Sequence, residues 1–288
     1  MKLALGTAQL GLDYGVANAT GKITPGEARA VMACARESSI EMLDTAVAYG
    51  DSEQRLGQLD ITGFEVVSKL PPVPEDVINL RAWVFRLVRQ SLDLLRVRRL
   101  YGLLLHRPLQ LNESRGREIA DALEAVKAEG LVFKTGFSVH APADLDALYP
   151  THQPDMVQAP LNLFDTRLVQ SGWMQRLHTD GVELHVRSIF LQGLLLIPPA
   201  ERPERFARWA EHFALYDAWM NSYGRDAIEA CVGFALSFPE ISRVVVGVDT
   251  AAQLRRIVAA ARTGPIDHTP SLGSPDPDLL NPLVWMRQ

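Results

Sequence analysis

The 288 residues, 47% of them hydrophobic and 22% charged, supply enough material for one large core and exclude a disordered or fibrous chain. A net charge of −5 without a block of Lys and Arg excludes a nucleic-acid-binding face, and only two cysteines, Cys34 and Cys231, exclude a disulfide framework. No apolar run reaches the ~20 residues that span a membrane, and Met1-Lys2 leads directly into a strand-like run without a signal-peptide pattern. No membrane partner is therefore expected, and a reducing cytoplasm is the expected setting.

Short apolar, β-branched runs bounded by polar or turn residues read as strands. In chain order they are Lys2–Thr7, Ile40–Asp44, Phe64–Lys69, Tyr101–His106, Lys134–Ser138, Asp155–Gln158, Val182–Ser188 and Arg243–Val248. Helical patterns lie between them. Pro25–Ser38 opens on a Thr24 cap and a first-turn proline. Asp76–Arg96 and Glu113–Glu129 follow, the latter stopping at Gly130. Arg225–Ser237 and Thr250–Arg262 complete the series. Arg202–Tyr223 is an additional helical stretch rich in aromatics, readable as core, lid or interface.

Strands alternating with helices predict an α/β protein with a parallel sheet closed into a (β/α)8 TIM barrel. An open doubly wound sheet competes, but Gly6, Gly11 and Gly15 do not make the Gly-x-Gly-x-x-Gly loop that such a fold uses for a dinucleotide. The expected organisation is a barrel domain over residues 1–262. An extended tail, 263–288, would wrap it, pinned by Leu279, Leu280 and Trp285.

Side chains at the C-terminal ends of barrel strands point into the active-site mouth. Asp44 ends the second predicted strand, Tyr49 follows in its loop, Lys69 ends the third and His106 the fourth. Alone, each has an ordinary reading: a helix cap, a loop hydrogen bond, a solvent-facing amine, a core imidazole. Together on consecutive strand ends, they bring an acid, a phenol, an amine and an imidazole to one rim.

These residues resemble the aldo-keto reductase superfamily. The resemblance rests on Leu43-Asp44-Thr45-Ala46, Tyr49-Gly50-Asp51-Ser52-Glu53, Leu56-Gly57, Ser68-Lys69 and Leu104-Leu105-His106, with Gly6-Thr7-Ala8-Gln9-Leu10-Gly11 as the opening strand and loop. It implies an oxidoreductase that moves hydride between a nicotinamide cofactor and a carbonyl or alcohol. A phenol is a poor proton donor at neutral pH. The resemblance gives Tyr49 the proton, Lys69 the task of stabilising the phenolate, Asp44 that of pairing with Lys69, and His106 that of orienting the substrate oxygen.

Later strand ends are expected to hold the cofactor. Ser138 and Gln158 match the family's carboxamide contacts, although Val139 stands where Asn is usual. Asn162 is similar to a family Asn but equally suits a turn. Ser188 and the run Gln192-Gly193-Leu194-Leu195 match the loop after strand seven, where Arg187 replaces an aromatic that stacks on the nicotinamide. A guanidinium can stack there too, favouring reduced cofactor, or it can turn away to bind a phosphate. Gly247, Thr250 and Gln253 match the last helix start, a place suited to a phosphate. NADPH-preferring members carry Lys or Arg where Thr250 stands. NADPH is the expectation from the family at large, with NADH open.

Tyr14 is expected to wall the substrate end, with Asp13 as a hydroxyl contact. Arg107 could meet an anion or form a surface pair. The run Gly-Leu-Asp-Tyr-Gly-Val-Ala-Asn, from Gly11, resembles a bacterial subgroup linked to polysaccharide and sugar synthesis, which points to an aldehyde, ketone or sugar-derived carbonyl. The alternative is a non-catalytic nucleotide-sensing or partner-binding barrel. A metal-dependent barrel hydrolase would need a His-x-His after the first strand, which Gly6-Thr7-Ala8-Gln9 does not offer, so no metal is expected. Monomer and homodimer both remain open.

Overall fold

A computed structural model describes residues 1–285 apart from 17, 19, 20, 267, 269 and 270. Position 17 of the sugar-linked run and parts of the tail therefore lie outside the described residues. Eight parallel strands close into a barrel in sequence order: β1 (Leu3–Gly6), β2 (Met42–Asp44), β3 (Glu65–Leu70), β4 (Leu100–Leu105), β5 (Val132–Ser138), β6 (Met156–Pro160), β7 (Glu183–Arg187) and β8 (Ile241–Gly247). Ends differ from the expectation by a residue or two, as strand ends commonly do.

The helices are α1 (Ala8–Gly11), α2 (Pro25–Glu37), α3 (Ser52–Gly57), α4 (Leu80–Leu95), α5 (Gly116–Ala128), α6 (Pro142–Leu148), α7 (Arg167–Gln170), α8 (Trp173–Thr179), α9 (Ala210–Tyr223), α10 (Ala227–Leu236), α11 (Ala251–Thr263), α12 (Pro277–Leu280) and α13 (Pro282–Trp285). Thr24 caps α2 by accepting from the Glu27 amide, as its sequence position implies. The fourth helix starts later than expected because Asn79, not Asp76, is its cap, accepting from Ala82 N at 2.9 Å. The fifth begins at Gly116, since Pro108–Asn112 forms a 3-10 turn ahead of it.

Two layers of core hold the barrel. Ala4, Met42, Val67, Leu104, Met156 and Val245 fill its interior, and a larger cluster packs the sheet against the helices. Side chains on a strand alternate between these layers with period two. Two residues beyond each interior side chain, a residue of the same parity therefore faces the upper mouth: Gly6, Asp44, Lys69, His106, Gln158 and Gly247. This parity is how the sequence aims the site.

The aromatic segment is core. It splits into a 3-10 turn, Glu204–Trp209, and α9. His212, Phe213 and Tyr216 surround Phe164, and Phe206 meets Trp285 edge-on at 5.1 Å. The tail is not simply extended, because its prolines start two short helices that dock on this cluster. Trp209 donates to Asp276, and Trp285 donates to the Asp278 carbonyl.

Candidate active site

Lys69 and Asp44 are the centre of the mouth. Both are buried, 1% and 4% exposed, and Lys69 Nζ donates to Asp44 Oδ1 at 2.6 Å and to the Thr45 carbonyl at 2.9 Å. An ammonium so deeply buried is costly unless paired. Burial opposes its charge, but the Asp44 carboxylate and the Tyr49 phenol together hold the Lys69 pKa above its ordinary value. The same Nζ lies 5.0 Å from the centre of the Tyr49 ring. Tyr49 and His106 meet edge to face, with ring centres 6.1 Å apart. The structure thus brings all four expected residues together.

Backbone close to backbone sets the position of Tyr49. A Cβ on Gly11 would lie 1.8 Å from the Tyr49 carbonyl oxygen, so only glycine lets α1 press against that loop. Gly50, at φ +56, turns the chain straight after Tyr49, and a Cβ there would sit 2.4 Å from the Gly11 oxygen. Ser52 ties the loop down by donating to Thr7 O at 2.9 Å, and Thr7 Oγ1 donates to Asp44 O at 2.9 Å. Buried Glu53 accepts from Ser68 and Ser91 at 2.6 and 3.0 Å. The Asp51-Ser52-Glu53 run therefore serves to hold the loop in place.

His106 is neutral. Burial first, then the charges of Lys69 and Arg187, push its pKa down to about 4. A neutral imidazole carries one N–H and can donate to a substrate oxygen. The ordinary value is 6.5, so below that pH the unfolded chain takes up a proton that the folded chain refuses. Stability attributable to His106 is complete above pH 6.5 and falls as pH drops toward 4, by up to about 3 kcal/mol. Urea unfolding at pH 7 and pH 4.5 should show a smaller acid loss for His106→Asn than for the unaltered protein. Equal losses would contradict the assignment.

The other expected contacts differ in detail. Gln158 donates to Asp44 Oδ2 at 2.7 Å, so it braces the carboxylate that pairs with Lys69, a contact that sequence reasoning missed. Its Oε1 is buried and has no hydrogen-bond partner among the described residues. Ser138 is buried one register step away, opposite Gln158. Asn162 makes a turn, accepting from Phe164 N and Asp165 N while donating to Ser188 O. Asp13 is exposed and accepts from the Lys22 amide, so it is set in its own loop and lies outside the cleft lining. Arg107 pairs with Glu113 at the surface.

A cleft of about 540 Å³ runs from Tyr49 and Asp44, past Tyr14 and the β7 loop, to Asp226, Asp249 and Arg256 beyond β8. Arg187, Ser188, Gln192, Gly193, Gly247 and Gln253 line it. Ser188, Leu191 and Gln192 hold positive φ, which shapes the β7 loop into a wall. Gln192 bridges to Tyr14 Oη at 3.3 Å. At the far end, the start of α11 is already occupied by the chain itself. Gln253 Oε1 accepts from Asp249 N and Thr250 N, Thr250 Oγ1 from Gln253 N, and Glu27 Oε1 from Ala251 N. Thr250 is thus a cap, its side chain engaged by the Gln253 amide. Among the described residues, no three His, Cys, Asp or Glu side chains converge as a metal group, and no helix is long and apolar enough to cross a membrane.

The family model described as "Aldo/keto reductase family" matches residues 2–269. The chain belongs to the aldo/keto reductase family. It is accordingly an oxidoreductase acting on carbonyls, in a family that generally uses nicotinamide cofactors, and the non-catalytic reading falls away. Among solved structures, it is similar to an aldo-keto reductase from Bacillus halodurans in its holo form, at 20% identity and TM-score 0.72 over 92% of this chain and 88% of that one. It is also similar to a protein from Pseudomonas aeruginosa assigned to the aldo-keto reductases, at 24% identity and TM-score 0.67 over 91% and 90%. Both likenesses speak for the fold. A search of curated proteins finds no match.

Proposed function

We propose that this enzyme interconverts a small carbonyl compound and its alcohol with a nicotinamide dinucleotide in the cleft, Tyr49 being the proton donor. The observation that carries this reading is the Lys69 ammonium, buried between the Asp44 carboxylate and the Tyr49 ring. The residues fit the cofactor. The unpartnered Gln158 Oε1 is an acceptor suited to a carboxamide N–H, and Gly193 and Gly247 line the cleft. When bound, the cofactor supplies the hydride that reaches the carbonyl carbon. Neutral His106 donates to the carbonyl oxygen and orients it. Tyr49 gives its proton to that oxygen as negative charge develops there, and the Lys69 ammonium stabilises the phenolate left behind. Solvent returns the proton. In alcohol oxidation the same groups act in reverse.

The adenosine end departs from the NADPH expectation. The cleft there is lined by Asp226 and Asp249, and its cation Arg256 is already paired with Asp226 at 2.9 Å. With Arg256 and Asp226 neutralising each other, a 2′-phosphate would meet the Asp249 carboxylate, whereas ribose hydroxyls can donate to it. We therefore favour NADH. Side-by-side fluorescence titrations should give a Kd for NADH at least about tenfold below that for NADPH. Tighter NADPH binding would reverse this preference. Failure to turn over any carbonyl with either cofactor would overturn the wider proposal.

A further inference from the structure

Arg187 is a cleft cation that the reaction does not use. It ends β7, opposite Pro160 and two residues beyond buried His185, with the parity that faces the mouth. It is half-buried and lines the cleft. Its hydrogen bonds go to Ser188 Oγ at 3.2 Å, Val139 O at 3.1 Å and His140 Nδ1 at 3.3 Å, all uncharged acceptors. Lys69 has Asp44 and Arg256 has Asp226. Among the described residues, no carboxylate lies within ion-pair distance of Arg187.

Direction matters as much as charge. The guanidinium reaches from β7 across β6 to the residues that follow β5. That is toward the His106 side of the mouth and away from β8 and the start of α11. Its charge is felt at Tyr14, Lys69 and His106. A partly desolvated guanidinium without a counter-charge is a cost to the fold. A neutral substrate leaves that cost standing, and the uncharged carboxamide has its own acceptor in Gln158. An anion bound beside Tyr49 removes it, through the planar fork that Arg offers to carboxylate or phosphate.

We propose that Arg187, braced by Val139 O and His140, is an anion-binding subsite at the substrate end of the cleft, so that the preferred substrates are carbonyl compounds carrying a carboxylate or phosphate. This rests on the carbonyl-reductase reading above and narrows its substrate class.

The test compares 4-carboxybenzaldehyde with its methyl ester, which differ at one end only in charge and a methyl group. The kcat/KM ratio, acid over ester, should be at least about tenfold in the unaltered enzyme. Arg187→Gln should bring that ratio close to one, and Arg187→Lys should restore part of it. Cofactor titration without substrate separates the alternative source of anion, the cofactor phosphates. If Arg187→Gln leaves the ratio unchanged, the subsite is refuted. It is equally refuted if the variant weakens cofactor binding as much as it slows both substrates. Should neither aldehyde be turned over, the reaction assignment has failed, and calorimetric binding of 4-carboxybenzaldehyde still decides the subsite. Binding lost in Arg187→Gln supports it, and absent or equal binding refutes it.

Discussion

Tyr49→Phe is expected to lower kcat by about 10²–10⁴-fold, the usual contribution of a positioned general acid, while leaving the Kd for the dinucleotide unchanged. The substitution removes one oxygen and keeps the ring. The edge-to-face contact with His106 and the packing of the ring over Lys69 should therefore persist. The loop is fixed by contacts that do not involve the hydroxyl: Gly11 against the Tyr49 backbone, and Ser52 on Thr7. A fall confined to kcat in pre-steady-state and steady-state assays is then a loss of proton transfer. One competitor lies nearby, since Tyr14 lines the same cleft. Burial pushes the Tyr14 pKa up, so it is a poorer acid than an ordinary phenol. If Tyr49→Phe retained full turnover and the Tyr14→Phe variant lost it, the proton donor would be Tyr14.

Much of this site was legible because strand alternation is strict. Met42 and Asp44, Val67 and Lys69, Leu104 and His106 each read as an interior residue followed by a mouth residue, so their shared rim follows from the sequence once the strands are placed. What the chain sequence does not express is the hydrogen-bond partner across the barrel. Gln158 stands on β6, four strands from β2, yet its amide braces Asp44 at 2.7 Å. Such a contact depends on closure of the barrel. The capping at Thr250 escaped for a related reason. Its neighbour Glu27 comes from α2, distant in sequence, and takes the Ala251 amide that a phosphate would otherwise use. A loop carboxylate next to Tyr14 can point either way, and that the Lys22 amide engages Asp13 is not legible in the sequence. The aromatic stretch before α10 read as helical, but its place as core was not legible, since its side chains meet Phe164 and the tail from several sides.

The Asp44–Lys69 pair should separate stability from catalysis when it is dismantled in two ways. Lys69→Met removes the ammonium and leaves the Asp44 carboxylate buried with, among the described residues, the Gln158 amide to answer it. Removing one partner of a buried ion pair costs about 3–5 kcal/mol, and urea unfolding at pH 7 should show a loss of that order. Asp44→Asn in the same chain takes away the stranded charge. The double variant, uncharged at both positions, should recover most of the lost stability, since buried pairs replaced by neutral groups of similar volume are often no less stable. Activity should not follow. Without the ammonium, nothing stabilises the phenolate that proton transfer leaves on Tyr49, and the double variant should remain at least about 10²-fold slower than the unaltered enzyme. The coupling between the two substitutions, read from the four stabilities, isolates the pair from the packing around it. If activity returned together with stability, the ammonium would serve only to hold the fold. If stability stayed low in the double variant, the Thr45 carbonyl that Lys69 also satisfies would be the more important of its partners. The pair is thus expected to be dispensable for the barrel and required for the reaction, the pattern that marks a buried charge retained for chemistry.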